Sequence, residues 1–512
     1  MILLNGENLT ISDVMSIAQA GTPIAIPNES LDKITKSHNF LTDFASSRFI
    51  YGINTGFGPM AQFKIDDNKL IDLQYNLVRS HSAGFTPFIS LVESRAVLIA
   101  RINSLVRGQS GVSPDLINLL VSMCNKGIVP CIPKHGGVGA SGDLVQLAHL
   151  ALAAIGEGDV YYKDEIVKAS VAFQKEGLSP MKFSIREGIS IMNGTSAMTG
   201  VAALNLFQAR ILLQWMVVFS SMINEIMEAF DDHFSVELNS AKKHQGQQHI
   251  ASLMRNVLSD SKLIRLRDKF WNKEQSDEFF SEKVQEYYSV RCVPQILGPI
   301  YDTIEYAVRV VEEELNSTSD NPIVDFEAGN VFHGGNFHGD YISLEMDKLK
   351  LVTTKLSMLS ERQLNFLLNN AINGKLPPFI NVNTLGLNFG LQGMQFCATS
   401  TTAENQTISG SSYIHSIPNN NDNQDIVSMG FNSASLAARI IENAFEVITI
   451  EAIALLQAVD YLGFENKLST YNGRVFKELR AVFPLIKEDR ATYIDQKALK
   501  SYLMSYNPKL EE

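Results

Sequence analysis

Four long segments in the second half of the chain carry apolar residues at the three- and four-residue spacing of a helix, with few charges among them. They are residues 204–230, 282–316, 341–369 and 433–463. A helix that is apolar around most of its circumference must be buried on several sides. We therefore expect a mainly α fold, in which a bundle of long helices forms the core and subunits of an oligomer share it.

The first 200 residues have a different pattern, with short periodic stretches separated by loops rich in Gly, Pro and Asn. Short helices are expected at 11–20, 91–105 and 115–126. The sequence therefore predicts a smaller, mixed N-terminal domain over 1–200 and a central and C-terminal helical bundle over 201–512. In this scheme the N-terminal domain carries the active-site loops.

Charge and cysteine content argue against several classes of protein. The net charge is −12, and Lys and Arg form only short runs such as Lys242-Lys243, so no nucleic-acid partner is expected. Four cysteines without a CxxC pair indicate reduced thiols and a cytoplasmic location. Residues 188–223 have Arg210 as their only charge, but the polar residues of their first half favour a buried loop leading into a core helix over a membrane span.

The glycine-rich run HGGVGASGDL, residues 135–144, fits two well-known motifs only in part. Its glycines match G-x-G-x-x-G, but Pro130 and Pro133 stand where a dinucleotide-binding fold needs a strand. A serine-hydrolase elbow would need glycine where Asp143 stands. Taken alone, the run would indicate only a turn before a helix.

Part of this glycine-rich run is one of five motifs that occur together along the chain. They are YGINTGFG at 51–58, ASGD at 140–143, NGT at 193–195, QEYYSVR at 285–291 and GNFH at 335–338. The set resembles the aromatic amino acid ammonia-lyase family, which contains histidine, phenylalanine and tyrosine ammonia-lyases and the related aminomutases. The resemblance extends from about residue 51 to about residue 430.

The resemblance implies that Ala140, Ser141 and Gly142 cyclise and lose water to form 4-methylidene-imidazol-5-one, a built-in electrophile, and that no external cofactor is needed. The residue types suit this reaction. Gly142 must bend its nitrogen onto the Ala140 carbonyl carbon, which a Cβ would hinder. Ser141 supplies the hydroxyl that is lost, and Asp143 lies where it could help to move protons.

The remaining site residues are also carried over from the family. Tyr51 is expected to be the base that removes the β-proton, and its glycine-rich loop to close over the site. Arg291 suits a bidentate clamp on the substrate carboxylate. The other residues expected in the site are Tyr288 in catalysis and Asn193, Gln285 and Phe337 in substrate binding. The resemblance further implies a homotetramer with sites built from several subunits.

Two positions bear on which aromatic amino acid is bound. His81, in the pair Ser80-His81, matches the pattern usual in histidine lyases, whereas Gln424 stands where those enzymes have glutamate and where phenylalanine and tyrosine lyases have glutamine. A carboxylate partner for an imidazole is worth roughly 1.5–3 kcal/mol, much of which an amide forfeits. His81 and Gln424 can together satisfy a tyrosine hydroxyl, and a site that bonds a hydroxyl rejects phenylalanine.

The sequence therefore favours a tyrosine ammonia-lyase that forms trans-4-coumarate. Histidine ammonia-lyase, phenylalanine ammonia-lyase and an aromatic 2,3-aminomutase remain alternatives, as does an inactive helical scaffold. His333 and His338 lack a carboxylate at zinc-ligand spacing, so no metal site is expected. Two departures from the family, Gly137 for a frequent serine and Gln146 for a frequent proline, remove no reacting atom.

Overall fold

A computed structural model describes residues 1–271 and 283–510 and is mainly helical, which confirms the predicted fold class. In chain order the helices are α1 (Ile11–Ala20), α2 (Asn28–Ala45), α3 (Leu70–His81), α4 (Leu91–Leu105), α5 (Pro114–Asn125), α6 (Leu144–Ala154), α7 (Ala169–Glu176), α8 (Glu187–Met192), α9 (Ser196–Ile226), α10 (Val236–Ser240), α11 (Gln245–Leu258), α12 (Arg267–Trp271), α13 (Tyr288–Arg291), α14 (Val293–Leu315), α15 (Asp340–Leu368), α16 (Asn370–Asn373), α17 (Gln392–Ile408), α18 (Gly430–Leu462), α19 (Thr470–Val482) and α20 (Tyr493–Ser505). Short 3-10 turns occur at Gly58–Met60, Asp67–Lys69, Asp231–Phe234 and Pro378–Ile380.

The strands are short and form three small sheets. They are β1 (Ile2–Leu3), β2 (Ile24–Ala25), β3 (Val129–Pro130), β4 (Asp159–Tyr162), β5 (Glu165–Lys168), β6 (Ile323–Asp325) and β7 (Asn330–Phe332). β1 pairs with β2 in parallel, β3, β4 and β5 form an antiparallel sheet in that order, and β6 pairs with β7 in antiparallel orientation. Lys163 and Asp164 both have positive φ, as the two-residue turn between β4 and β5 requires.

The chain divides into two compact units, each discontinuous in sequence. The first unit comprises Met1–Phe207, Ala307–Lys348 and Ser411–Ala438, and the second comprises Gln208–Tyr306, Leu349–Gly410 and Arg439–Glu512. All of the strands described above lie in the first unit. The division at residue 200 remains a prediction about domains. The compact units differ from it because 307–348 and 411–438 belong with the N-terminal segment.

Local sequence signals predicted several helices closely. α1 begins after Thr10, whose side chain accepts the Asp13 N–H while the Asp13 carboxylate accepts the Thr10 N–H, and it ends at Gly21 in the left-handed conformation. α4 covers the predicted 91–105, and α5 lies within one residue of the predicted 115–126 at each end. These helices were predictable because their caps and apolar spacing lie within a few residues of each other.

The helices of the second unit pack through buried polar pairs as well as apolar contacts. Ser220 of α9 and Gln363 of α15 exchange hydrogen bonds at 3.0–3.2 Å. Ser360 of α15 donates to Glu451 of α18 at 2.6 Å. Asn443 of α18 donates to Asn405 of α17 at 2.9 Å. The predicted helical core is therefore present here, and it carries a line of polar groups that the apolar pattern did not indicate.

Two predicted segments differ from the structure. The long helix expected at 282–316 is interrupted: residue 282 lies outside the described residues, α13 is one turn, and the long helix α14 starts only at Val293. The loop expected from residue 188 is helical as α8, because a side chain from another helix accepts the free N–H of Ile189 in its first turn.

α9 is the one helix within 1–271 and 283–510 that is long and apolar enough to cross a membrane. In its most apolar window, 78% of the residues are buried inside the protein. It is therefore a core helix of the folded chain, as expected from its polar flank.

Candidate active site

The first unit contains a cavity of about 540 Å³ that brings together most of the residues singled out in the sequence. Its lining comes from six separate stretches of the chain, all within this unit. The lining residues are Tyr51, Phe57, Gly58, Met60, Ala61, Leu73, Asn76, Leu77, Ser80, His81, Ser141, Leu144, Ile189, Asn193, Asn321, Phe337, Asn420, Asn423 and Gln424. Tyr51, His81, Ser141, Asn193, Phe337 and Gln424 were expected there.

The Ala140–Gly142 tripeptide forms a tight bend at the wall of this cavity. Gly142 has φ +70°, and the N–H of Gly139 donates to the Gly142 carbonyl at 3.1 Å. A Cβ at Gly142 would lie 1.9 Å from the Gly194 carbonyl oxygen, so no side chain fits. The main chain at this point is bent back on itself in a way that only glycine permits.

Two amide side chains hold Ser141 from opposite ends. Asn193 Nδ2 donates to the Ser141 carbonyl oxygen at 3.0 Å, and Gln424 Nε2 donates to Ser141 Oγ at 3.0 Å. Asn193 is placed by the end of α8, and Gln424 is 8% exposed. The serine that the sequence predicts to lose its hydroxyl is thus fixed at both its main chain and its side chain.

Asp143 follows the bend and is completely buried. Its Oδ2 accepts the N–H of Met198 at 2.7 Å, and its own N–H donates to the Gly194 carbonyl at 2.8 Å. Burial raises the pKa of Asp143 to about 7, although the backbone N–H groups of Met198 and Ala197 act in the opposite direction. A carboxyl group with this pKa can hold or release a proton near neutrality.

The two departures from the family pattern face each other beside Asp143. A Cβ at Gly137 would lie 2.8 Å from Gln146 Oε1 and 2.8 Å from Asp143 Oδ1. The side chain of Gln146 is fully buried. The missing side chain at 137 therefore makes room for the side chain at 146.

The loop that carries Tyr51 is folded back on itself. The N–H of Gly58 donates to Tyr51 Oη at 3.0 Å, and the Phe57 ring packs edge-on against the Tyr51 ring at 5.9 Å. A Cβ at Gly52 would lie 2.5 Å from the Phe57 ring, which explains a glycine at this point. The Gly58 N–H and the Phe57 ring together fix the position of the Tyr51 side chain.

His81 ends α3 and lines the same cavity. Its Nδ1 lies 2.9 Å from the Leu77 carbonyl oxygen, which can only accept, so Nδ1 carries the hydrogen. In the neutral ring Nε2 is therefore an acceptor. Ser80 Oγ lies 3.0 Å from Nδ1 and donates to the same carbonyl at 3.0 Å. The Ser-His pair thus fixes the ring and its tautomer.

The segment around Phe337 contacts the Tyr51 loop. The N–H of Tyr51 points to His333 Nε2 at 3.4 Å, and burial and the charge of Arg186 lower the pKa of His333. Asn321 Oδ1 accepts the N–H of Gly334 at 2.8 Å and also lines the cavity. The glycines at 334 and 335 have open space where a Cβ would be, so neither is required by packing.

A buried charge cluster lies behind Asn321. Asp320 is fully buried, 3.5 Å from Arg186 and 3.9 Å from Arg101, and Arg186 donates to the Pro322 carbonyl at 2.6 Å. Burial lowers the pKa of Arg101 to about 10. Because two cations are fixed around one carboxylate, the backbone on both sides of Asn321 is held in one position.

Arg291 lies in the second unit and contacts both Gln285 and Tyr288. Arg291 donates to Gln285 Oε1, and its guanidinium lies 4.5 Å from the centre of the Tyr288 ring. Tyr288 and Arg291 share the single turn of α13, as their spacing indicated, whereas Gln285 precedes it. Within the second unit, the structure therefore groups these three residues around Arg291.

Several lining residues were missed in the sequence. Leu73, Asn76, Leu77 and Ser80 share one face of α3 with His81, and their spacing of three and four could have revealed them. Asn420 and Asn423 belong to a turn that the sequence indicated only as a turn. Its residues 420, 421 and 422 all have positive φ, which Asn and Asp tolerate better than other side chains. Asn321 had no sequence signal.

Metal ligands are not grouped in the described part of the chain. No three His, Cys, Asp or Glu side chains within 1–271 and 283–510 come together as a metal ion requires. His338 instead pairs with Asp340 at 3.1 Å.

Comparison with known proteins matches nearly the whole chain. Residues 9–481 fit the family model described as aromatic amino acid lyase. A probable histidine ammonia-lyase from Thermoplasma volcanium is 36% identical over 98% of each chain. A tyrosine ammonia-lyase from Cupriavidus metallidurans is 37% identical over 98% of this chain and 95% of its own.

Solved structures of related enzymes also match nearly the whole chain. A tyrosine aminomutase from Streptomyces globisporus has a TM-score of 0.94 at 34% identity, covering 98% of this chain and 97% of its own. Relatives named for two different substrates, and for elimination as well as amine migration, thus share similar identities with the chain. Overall similarity therefore shows the family but does not distinguish the substrate, which must be inferred from the side chains of the site.

Proposed function

The chain belongs to the aromatic amino acid lyase family and is an ammonia-lyase, and we propose that it eliminates ammonia from L-tyrosine to give trans-4-coumarate. We choose tyrosine as the substrate because His81 and Gln424 line the same cavity as Tyr51 and Ser141.

The proposal requires Ala140, Ser141 and Gly142 to become a 4-methylidene-imidazol-5-one, and their surroundings fit that group. Gly142 has the bend and the absence of a side chain that ring closure needs. Asn193 donates to the Ser141 carbonyl oxygen, and Asp143 can exchange a proton near neutrality. When formed, the group supplies an electrophile without any external cofactor.

Tyr51 is the proposed base for the proton on the substrate Cβ. A phenol must first lose its own proton to act in this way, and the Gly58 N–H donates directly to the phenol oxygen. The rigid loop around it, closed by the contact of Phe57 with Tyr51, would hold that oxygen in one place.

Recognition of the substrate hydroxyl is assigned to His81 and Gln424, with Phe337 packing in the same cavity. His81 Nε2 is the free acceptor of a ring whose Nδ1–H is bonded to Leu77, so it suits a hydroxyl donor. Gln424 supplies an amide donor and no negative charge. Phenylalanine would leave these polar groups without partners, and such a site discriminates strongly against it.

The substrate carboxylate is assigned to Arg291, held by Gln285 and by the Tyr288 ring, with Tyr288 also expected to act in catalysis. We place these residues in a homotetramer whose sites combine residues from several subunits, as the family resemblance implies.

The four cysteines, unpaired in the structure, suit the reducing cytoplasm.

Histidine is the second candidate substrate, because the Ser80-His81 pair is the pattern usual in histidine lyases and a histidine ammonia-lyase from Bacillus subtilis is 36% identical. The acceptor Nε2 of His81 could also bind an imidazole N–H. The absence of a carboxylate at 424 weighs against it, since a charged imidazole gains most from such a partner.

The test is to supply tyrosine, histidine and phenylalanine separately to the purified enzyme and follow the absorbance of coumarate, urocanate and cinnamate. Coumarate formed in preference to the other two supports the proposal. Urocanate without coumarate would replace tyrosine by histidine. Chromatography of the tyrosine reaction distinguishes an aminomutase, which would accumulate β-tyrosine instead of free coumarate.

A further inference from the structure

Gln74 is a fully buried side chain that joins two segments of the first unit, each of which contributes residues to the cavity lining. It lies on α3, and its exposed fraction is 0%. Its Nε2 donates to the Gly52 carbonyl at 3.1 Å, and its Oε1 accepts the N–H of Ile189 at 3.0 Å. Both ends of one amide are thus used, each by the backbone of a different segment.

Each of these contacts has a definite local consequence. Gly52 directly follows Tyr51, has φ +71°, and is buried, so its carbonyl has no access to water as an alternative partner. The Ile189 N–H is one of the donors that a helix cannot satisfy in its own first turn, so Gln74 caps α8 from outside. α8 ends at Asn193, which donates to Ser141.

Packing around Gln74 shows that this arrangement is specific. A Cβ at Gly188 would lie 2.9 Å from the Gln74 carbonyl oxygen and 3.1 Å from Oε1, so glycine is needed for α8 to approach α3 so closely. A neighbouring contact, in which the N–H of Phe183 donates to Tyr75 Oη at 3.2 Å, holds the same stretch of α3. The Gln74 amide is therefore rigidly placed.

We propose that Gln74 is a positioning residue for the reaction: its amide fixes the Tyr51 loop relative to the helix that presents Asn193 to the Ala140–Gly142 bend. This rests on the role of Tyr51 as base in the proposed function. Gln74 touches no reacting atom. It sets the distance between the group that removes the proton and the wall that carries the electrophile, and a displacement of about 1 Å at such a distance can cost 100-fold in rate.

The variant Gln74→Met tests the proposal, because methionine has a similar length and can make neither hydrogen bond. We expect kcat to fall about 10- to 100-fold while KM stays unchanged. The kinetic isotope effect with substrate deuterated at Cβ should rise, since proton removal becomes slower than the other steps. The mass of the chain should remain two waters below that of its sequence.

Gln457→Met is the matched control. Gln457 is 2% exposed and bridges one backbone residue in the same way, donating to the Ile486 carbonyl at 2.7 Å and accepting its N–H at 3.4 Å, but it lies in the second unit. Its loss should lower stability to a similar extent and leave kcat unchanged. A second variant, Gln74→Glu, keeps an acceptor for Ile189 and lacks the amide donor to Gly52, and should also lose kcat.

An unchanged kcat and isotope effect in both Gln74 variants would overturn the proposal. So would a loss of rate accompanied by loss of the two-water mass difference, because Gln74 would then support formation of the electrophile and not the position of Tyr51. The kinetics use whichever amino acid the parent enzyme deaminates, so failure of the tyrosine assignment leaves this test intact.

Discussion

In the candidate site, several positions accept few other residues. Gly142 has no room for a side chain, and Ser141 is bonded through both its carbonyl and its hydroxyl. Both residues could be singled out in the sequence because the Ala-Ser-Gly motif is contiguous. The orientation of the His81 ring could not, because it depends on a hydrogen bond to Leu77 that forms only when α3 is folded.

The variant Gln424→Glu tests whether Gln424 takes part in recognition of the substrate. The change replaces the donor to Ser141 by a carboxylate in a largely buried position, and a buried charge without a partner is costly. We expect kcat/KM for tyrosine to fall about 10-fold, equivalent to about 1.4 kcal/mol, and the ratio of histidine to tyrosine turnover to rise. Steady-state rates with both amino acids measure this.

Asn421→Asp serves as the control for that change. It makes the same exchange of amide for carboxylate in the neighbouring turn, at an exposed residue that does not line the cavity, and Asp tolerates its positive φ. Its turnover should equal that of the parent. If Gln424→Glu retained full tyrosine activity, the amide would have no part in recognition.

Among the elements, helices with local caps were predicted well and helix breaks were not. The start of α14 at Val293 places Pro294 in the first turn, where proline costs nothing, but the apolar pattern runs on across this point. α8 depends on Gln74 as an external cap, 115 residues away in sequence. A hydrogen bond between residues so far apart in sequence cannot be predicted from a local window of residues.

A buried carboxyl between α15 and α18 should make stability depend on pH. Burial raises the pKa of Glu451 to about 8, while Ser360 donates to it. Its proton is therefore held more tightly in the folded chain than in the unfolded one. Below about pH 4.5 both states are protonated. As pH rises from there to about 8 only the unfolded state has released its proton, so the free energy of unfolding falls.

Glu451→Gln removes this charge and keeps an acceptor for Ser360. Its Tm should exceed that of the parent near pH 8.5, by several degrees more than the difference near pH 5. Calorimetry at the two pH values measures the change. Glu446→Gln, on the same helix at an exposed site paired with Lys500, should give a difference that does not vary in this way. A pH-independent difference for Glu451→Gln would contradict a buried, protonated carboxyl.

In the molecule as a whole, the cavity draws on residues from Tyr51 to Gln424 within one discontinuous unit. The sequence predicted six members of this set through a family resemblance, namely Tyr51, His81, Ser141, Asn193, Phe337 and Gln424. It could not predict the discontinuity, since apolar periodicity carries no information on which distant segments pack together.

The proposed tetramer leads to a prediction about mixed subunits. Tyr51→Phe and Arg291→Ala should each be nearly inactive, because one lacks the base and the other the carboxylate clamp. If sites combine residues from several subunits, co-expressing the two variants should restore part of the parent activity in particles about four times the 56.7 kDa chain. Light scattering and turnover measure this, and a monomer with no regained activity would contradict it.

Formation of the electrophile requires Ala140, Ser141 and Gly142 to rebuild their own backbone, and the intact mass of the purified chain measures whether they do. We predict a mass two waters below that of the sequence. The variant Ser141→Ala should be folded and inactive, with the full mass of its sequence. A parent chain with the full mass of an unmodified polypeptide would show that the ring does not form.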